Sequence, residues 1–582
     1  MTEKTGRLSR RELLAGAALT AGAAAAPGLA VAARRAGGRW DHEADVVCVG
    51  GGAAGCAAAV AAVDAGATVI LVERAPLVGG TTRKSGGVAW VPNNPQLRAA
   101  GVDDRREDAI RYMARFAYPH RYVAGSPTLG LDPNSYALLE AFYDHGSAAI
   151  ELLARTGVVE FGTFDVGGKP APDYADHLPE NKVPTGRAIV PKDAHGVKLA
   201  GGAGDGGRLV DACEAWLTGK GAAVLTEHRV TRVVKDGERV VGVEATHGEK
   251  TVRIRARRGV IFGTGGFAHN LDLIQLHHRF VYGSCAVPYS QGDFLAIAQA
   301  AGAKMGQLDT AWRTQILLEQ AVQNRVLGLG VFFVPADSMI IVNKYGKRVV
   351  DEKRDYNDRT RVHYYYDPVG EDYPNQFLFM VFDERSRDAF GGMFPIPAGT
   401  APYLISGATL DELASGIRER LEKLGAVTSG CVLAADFAAS LGRTVDRFNA
   451  FAKSGVDEDF GRGAHAYDRE WQKFFSIMRA GSTQKANDLP NATMYPIAER
   501  GPYHAVILAA GVLDTNGGPV IDASARVLGA DGRPIPGLYG AGNCISAPTR
   551  DAYMGAGGTI GPALTFGYIA GRSAAGAAPV GA

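Results

Sequence analysis

One stretch near the start of the chain constrains its fold more than any other. ADVVCV at 44–49, with the apolar character of a buried strand, runs directly into GGGAAG at 50–55 and then into a small-residue helical segment, 56–65. Gly50, Gly52 and Gly55 fill the three positions of G-x-G-x-x-G. The first permits a tight turn, the second lets backbone approach a diphosphate, and the third lets helix and strand pack closely. The helix start, with Ala53 and Ala54, then presents free N–H groups and the positive end of its dipole to an anion. A second strand, TVILVE at 68–73, ends in Glu73, placed to accept hydrogen bonds from ribose hydroxyls, and Arg74 comes next. A lone G-x-G-x-x-G is a weak signal. Strand, glycines, helix, strand and terminal acid in this order predict a Rossmann-type dinucleotide site, and the acid argues against a 2′-phosphate.

A chain of 582 residues exceeds a single hydrophobic core, so at least two domains are expected. Hydrophobic content of 46%, charged content of 21% and a formal net charge of +1 carry no electrostatic footprint for nucleic acid. Small molecules are the expected partners. The first 40 residues read as a targeting segment: Ser9, Arg10 and Arg11 precede Glu12, Leu13, Leu14 and an Ala-rich run to about Ala33, a pattern resembling a twin-arginine export signal. The competing reading is a membrane-anchoring helix, but the run is short, weakly apolar and broken by Pro27. Export of a folded protein to the periplasm, cell envelope or exterior is therefore expected. The six cysteines show no C-x-x-C spacing, and no metal site is read from the sequence.

The segment after the second strand separates two kinds of dinucleotide. GGTTRKSGGVAWVPNN at 79–94 is a polar, glycine-rich stretch that a nicotinamide dehydrogenase does not need there. It resembles the FAD-binding segment of the fumarate reductase and 3-ketosteroid dehydrogenase superfamily, most closely the ketosteroid branch in its SGG, aromatic and PNN pattern. RRGVIFGTGGFAHN at 257–270, GLYGAGNCISAP at 537–548 and GAGGTIGPALTFGYIAG at 555–571 keep the superfamily's order. The resemblance implies an FAD held non-covalently by Gly80, Thr81, Thr82, Ser85, Gly86, Gly87, Val230, Thr264, Gly265, Gly266, Gly542, Asn543, Thr559 and Ile560, beside the residues of the first motif. It also implies an α/β fold with a discontinuous FAD-binding domain, 41–315 and 501–582, and an inserted α+β catalytic cap, 316–500. Within that cap TLDELASGIRERLEKLGA at 409–426 carries apolar residues at helical spacing, with Asp411 and Glu412 in its first turn.

The same resemblance bears on chemistry. In IIVNKYGKRVVDEKRDYND at 340–358, Tyr356 stands where fumarate reductases carry a catalytic arginine and ketosteroid dehydrogenases a catalytic tyrosine. DAYMGAGG at 551–558 resembles the ketosteroid pattern in which a tyrosine hydroxyl and a backbone N–H grip the substrate carbonyl, here Tyr553 and Gly557. Fumarate reductases place a substrate-binding arginine where this chain has Gly555, and a histidine pair where it has Leu513 and Asp514. The expected reaction is α,β-desaturation of a ketone, a steroid among the candidates: Tyr356 takes the α-proton and the flavin accepts hydride from the β-carbon, electrons passing to an external acceptor. DYADHLPENKVPTGR at 173–187 departs from the family. It keeps Tyr174 but has His177 where another active-site tyrosine is expected, so His177 is a candidate support for the Tyr356 phenolate. Two rival readings remain open: an exported enoate reductase of the fumarate reductase kind, supplied by an external electron donor, and an exported flavoprotein without catalysis.

Overall fold

The computed structural model describes residues 39–192, 205–478 and 482–580, so the targeting segment lies outside the described residues. Its first sheet is built on the strand predicted from ADVVCV. His42–Val49 pairs in parallel with Val69–Val72 on one side and with Lys250–Phe262 on the other. Ala223–Leu225 and Pro534–Gly540 extend the parallel array at its two ends. The central segments Val46–Val49, Val69–Val72 and 260–262 are fully buried and read as continuous apolar runs, as buried parallel strands do. Arg229–Asp236 and Arg239–His247 continue Lys250–Phe262 as an antiparallel meander.

Helices Ala53–Asp64 and Ile560–Ala575 pack against each other through small residues. A Cβ on Gly567 would fall 2.3 Å from the Ala54 carbonyl oxygen, and one on Gly571 2.3 Å from that of Ala58. Glycines four apart thus put the C-terminal helix on the dinucleotide helix at backbone contact. A Cβ on Gly55 would lie 1.8 Å from the Gly50 oxygen, so the third motif glycine sets strand-to-helix packing.

The second sheet centres on Tyr503–Thr515, which pairs antiparallel with Ala311–Leu317, Phe377–Asp383 and Ile405–Gly407. Phe377, Phe379 and Val381 point into one apolar core, with Ile417 and Leu421 of helix Leu410–Leu424. Leu378, Met380 and Phe382 point into another on the opposite face. That helix starts as its sequence predicts, Thr409 accepting a hydrogen bond from the Glu412 N–H at 3.1 Å while Glu412 accepts from the Ala408 N–H at 2.8 Å.

This sheet corrects the expected boundaries of the cap. It takes in Ala311–Leu317, which begins before residue 316, and Tyr503–Thr515, which lies after residue 500. Tyr503–Thr515 is buried along nearly its whole length, so its composition does not distinguish it from a strand of the cofactor domain.

Candidate active site

A cleft of about 1190 Å³, including its mouth, opens along the C-terminal ends of the first sheet's strands. Gly50, Gly52, Ala53, Ala54, Glu73, Arg74, Gly80, Thr81, Thr82, Ser85, Val230, Thr264, Gly265, Gly542, Asn543, Thr559 and Ile560 line it. Four predicted residues are not part of this lining. Gly55 is a packing residue, Gly87 donates to the Ser85 hydroxyl at 3.1 Å, Gly86 precedes it outside the lining, and Gly266 abuts Thr515, where a Cβ would meet its oxygen at 2.2 Å.

The wall fits a dinucleotide. Gly50 holds φ +97°, and a Cβ there would fall within 2.5 Å of the Gly263 oxygen, whereas a Cβ on Gly52 would meet nothing nearer than 3.6 Å, leaving that position open toward the cleft. The Thr264 hydroxyl, buried in the wall, lacks a conventional partner and meets only the Cys544 thiol. Glu73 accepts from the Gly51 and Ala75 N–H groups, each at 2.8 Å, and burial pushes its carboxyl upward against those bonds.

Asp514 is a site residue that no sequence motif announces. Its carboxylate accepts from Ser290 Oγ at 2.8 Å, the Gly266 N–H at 2.9 Å and Asn543 Nδ2 at 3.3 Å, tying three segments of the wall together. Its carboxyl is pushed up by burial, with these bonds opposing. The aspartate lies in the stretch where fumarate reductases carry a histidine pair, and that position is the one signal in the sequence that could have found it.

Three tyrosines converge beyond the cleft. Tyr356 opens helix Tyr356–Arg361, whose N-terminus is capped by Asp355 Oδ1 accepting from the Asp358 N–H at 3.0 Å. Tyr553 sits in the turn before the C-terminal helix, its hydroxyl 3.3 Å from Thr559 Oγ1 on the cleft wall. Tyr174 comes from the 173–187 loop. The ring centroids lie 5.3 Å (Tyr356–Tyr553), 5.4 Å (Tyr174–Tyr553) and 5.5 Å (Tyr174–Tyr356) apart. Phe332, Phe333, Trp312 and Tyr467 enclose them. Burial is the main reason that the Tyr356 hydroxyl is held well above the usual phenol range, with those of Tyr174 and Tyr553 hydrogen-bonded to it. After burial, the three act chiefly on one another, with Tyr467, Thr559 and the Asp355 carboxyl contributing.

A buried ionic network fixes the loop that supplies Tyr174. Arg187, fully buried, reaches Asp173 at 2.6 Å and Asp104 at 2.7 Å, while Trp90 Nε1 donates to Asp173 at 2.7 Å. The Tyr174 N–H donates to the Met554 oxygen at 3.0 Å, joining loop and turn. Gly557 adopts φ +91° against Val88 and Ala89, and no acceptor among the described residues meets its N–H. Gly555 faces Trp90, where a Cβ would stand 2.6 Å from the indole, so no arginine fits at that position. His177 does not support Tyr356. It is exposed, its Nδ1 is 3.6 Å from Asp176 and its ring lies against His465. The loop turns after Tyr174 and carries His177 out to the surface.

Comparison with known proteins agrees with this geometry. The family model described as "FAD binding domain" matches residues 45–560. A 4-oxocyclohexanecarboxylate 2-dehydrogenase from Sinomonas cyclohexanicum is 33% identical, the match covering 92% of this chain and 93% of the relative. A 3-oxosteroid 1-dehydrogenase from Mycobacterium tuberculosis strain H37Rv is 32% identical over 91% of this chain and 98% of the relative. In fold, the chain matches a crystal structure of 3-ketosteroid delta1-dehydrogenase from Sterolibacterium denitrificans with a TM-score of 0.75 and 24% identity, covering 92% of this chain and 99% of that one.

Proposed function

Because this chain belongs to the FAD-binding family that contains the 3-oxosteroid 1-dehydrogenases, and is thus an FAD-dependent oxidoreductase of CH–CH bonds, we propose that it desaturates a ring ketone next to its carbonyl. The observation that carries this reading is the convergence of the Tyr174, Tyr356 and Tyr553 side chains in a cluster of buried apolar and aromatic residues. Such a site suits a neutral carbonyl.

The carbonyl oxygen is held by the Tyr553 hydroxyl and the Gly557 N–H, which stabilise the charge that gathers on it as the α-proton leaves. Tyr356 takes that proton. Its phenolate is the minor form at neutral pH, because burial and then the neighbouring Tyr174 and Tyr553 hydroxyls hold the phenol above its usual range. Bound FAD supplies the two-electron acceptor for the hydride lost from the β-carbon. Thr82, Thr264, Asn543 and the amides at 51–54 and 559–560 would hold that cofactor without a covalent link. One turnover loads it with two electrons, so an external acceptor is needed to renew it.

We also infer export through the twin-arginine route, supported by Ser9, Arg10, Arg11 and the Ala-rich run after them.

Anaerobic bleaching of the yellow protein against saturated ketones tests the substrate class, with 3-ketosteroids and 4-oxocyclohexanecarboxylate both in the panel. Rapid bleaching by a neutral ring ketone is expected. Bleaching by succinate alone would overturn the reading.

A further inference from the structure

Outside the tyrosine site, one cluster among the described residues brings metal-ligating side chains together. Asp176 and His177 come from the loop that carries Tyr174, and His465 precedes helix Ala466–Met478. One ligand atom of each lies within 4.8 Å of the other two. His177 Nδ1 and Asp176 Oδ1 are 3.6 Å apart, close to the spacing of two ligands around one tetrahedral ion, and the imidazole centroids are 4.4 Å apart.

A second observation points into the same gap. The Asp176 side chain is only 4% exposed, and its Oδ2 accepts from the Tyr467 N–H at 3.1 Å. Its Oδ1 is buried without any hydrogen-bond donor. The Arg354 guanidinium stands 3.9 Å from that oxygen, beyond hydrogen-bonding range, and also pairs with Asp468 at 3.5 Å.

We propose that Asp176, His177 and His465 bind a divalent transition metal, Zn²⁺ in preference to Mg²⁺ or Ca²⁺, because two imidazoles and one carboxylate suit the softer ion. The ion joins the Tyr174 loop to the segment bearing Tyr467, whose ring packs on Tyr174 at 5.0 Å. It is a clasp at the edge of the tyrosine site and touches no reacting atom. No ligand spacing marks the site along the chain, because His465 lies far from the other two ligands in sequence.

Untagged holoenzyme, stripped with chelator and dialysed against buffered Zn²⁺, provides the test, with metal content and melting temperature as readouts. One equivalent of Zn²⁺ and a rise in melting temperature with free Zn²⁺ are expected, and Mg²⁺ should produce neither. His177→Ala and His465→Ala should each weaken binding about tenfold or more. Both should retain full FAD, since neither residue lines the cofactor cleft. His177 is exposed, so its variant guards against a misfolded His465→Ala. Three results would each overturn the site: no Zn²⁺ on the wild type, equal affinity in the double variant, or an equal thermal response to Mg²⁺.

Discussion

Tyr356 and Tyr553 share one enclosure, but their loss should read out differently. Without its base, Tyr356→Phe should stop both cofactor bleaching and exchange of the substrate's α-hydrogen into deuterated solvent. Tyr553→Phe keeps the Gly557 N–H, so both processes should slow by about a hundredfold, the value of one oxyanion donor. The upward displacement of the Tyr356 hydroxyl also fixes a pH dependence. The basic form is scarce below its raised titration point, so the bleaching rate should climb with pH by about tenfold per unit through neutrality and show no plateau below about pH 10. A plateau near neutral pH in stopped-flow traces, or wild-type bleaching by Tyr356→Phe, would remove Tyr356 as base. At this scale the sequence was readable where a motif framed the residue. Tyr356 and Tyr553 stood in such frames, whereas the 173–187 loop departs from its pattern, and Tyr174 rather than His177 lies beside Tyr356, the buried Arg187–Asp173 pair anchoring the loop next to it. Asp514 escaped notice because its partners, Ser290, Gly266 and Asn543, are scattered along the chain.

Among elements, the strand–turn–helix at 42–64 separates glycines that bind from glycines that pack. Gly52→Val should fold, because its Cβ has ordinary contacts, and should purify colourless, because the added methyls project where the diphosphate must lie. Gly55→Ala should fail to give soluble protein, its methyl colliding with the Gly50 oxygen at 1.8 Å. Absorbance at the flavin band per mole of folded protein checks both, and a fully yellow Gly52→Val would show the diphosphate is elsewhere. These elements were legible because local glycine geometry and strand apolarity dictate them. The cap sheet was less so: Tyr503–Thr515 is as apolar as a Rossmann strand, and only its long-range partners, Ala311–Leu317 and Phe377–Asp383, assign it to the second sheet. Pairing between distant segments leaves no periodic trace in either one.

For the molecule as a whole, the parts of the cofactor cleft come from residues near 50, 260 and 540, which meet only when most of the chain has folded. On the proposed twin-arginine route, which moves folded proteins, a cofactor acquired that way would be in place before export. Replacing Arg10 and Arg11 by Lys should therefore leave yellow, folded precursor in the cytoplasm. Unchanged export on cell fractionation would refute the twin-arginine assignment. Tyr503–Thr515 has a practical consequence for recombining this protein with its relatives. The strand spans the centre of the cap sheet and ends with Asp514 in the cofactor wall, so the cap is not a detachable cassette. A chimera joined at residues 316 and 500 would graft a foreign sheet onto the host's own middle strand. Crossovers that keep 283–515 from one parent should give the functional hybrids.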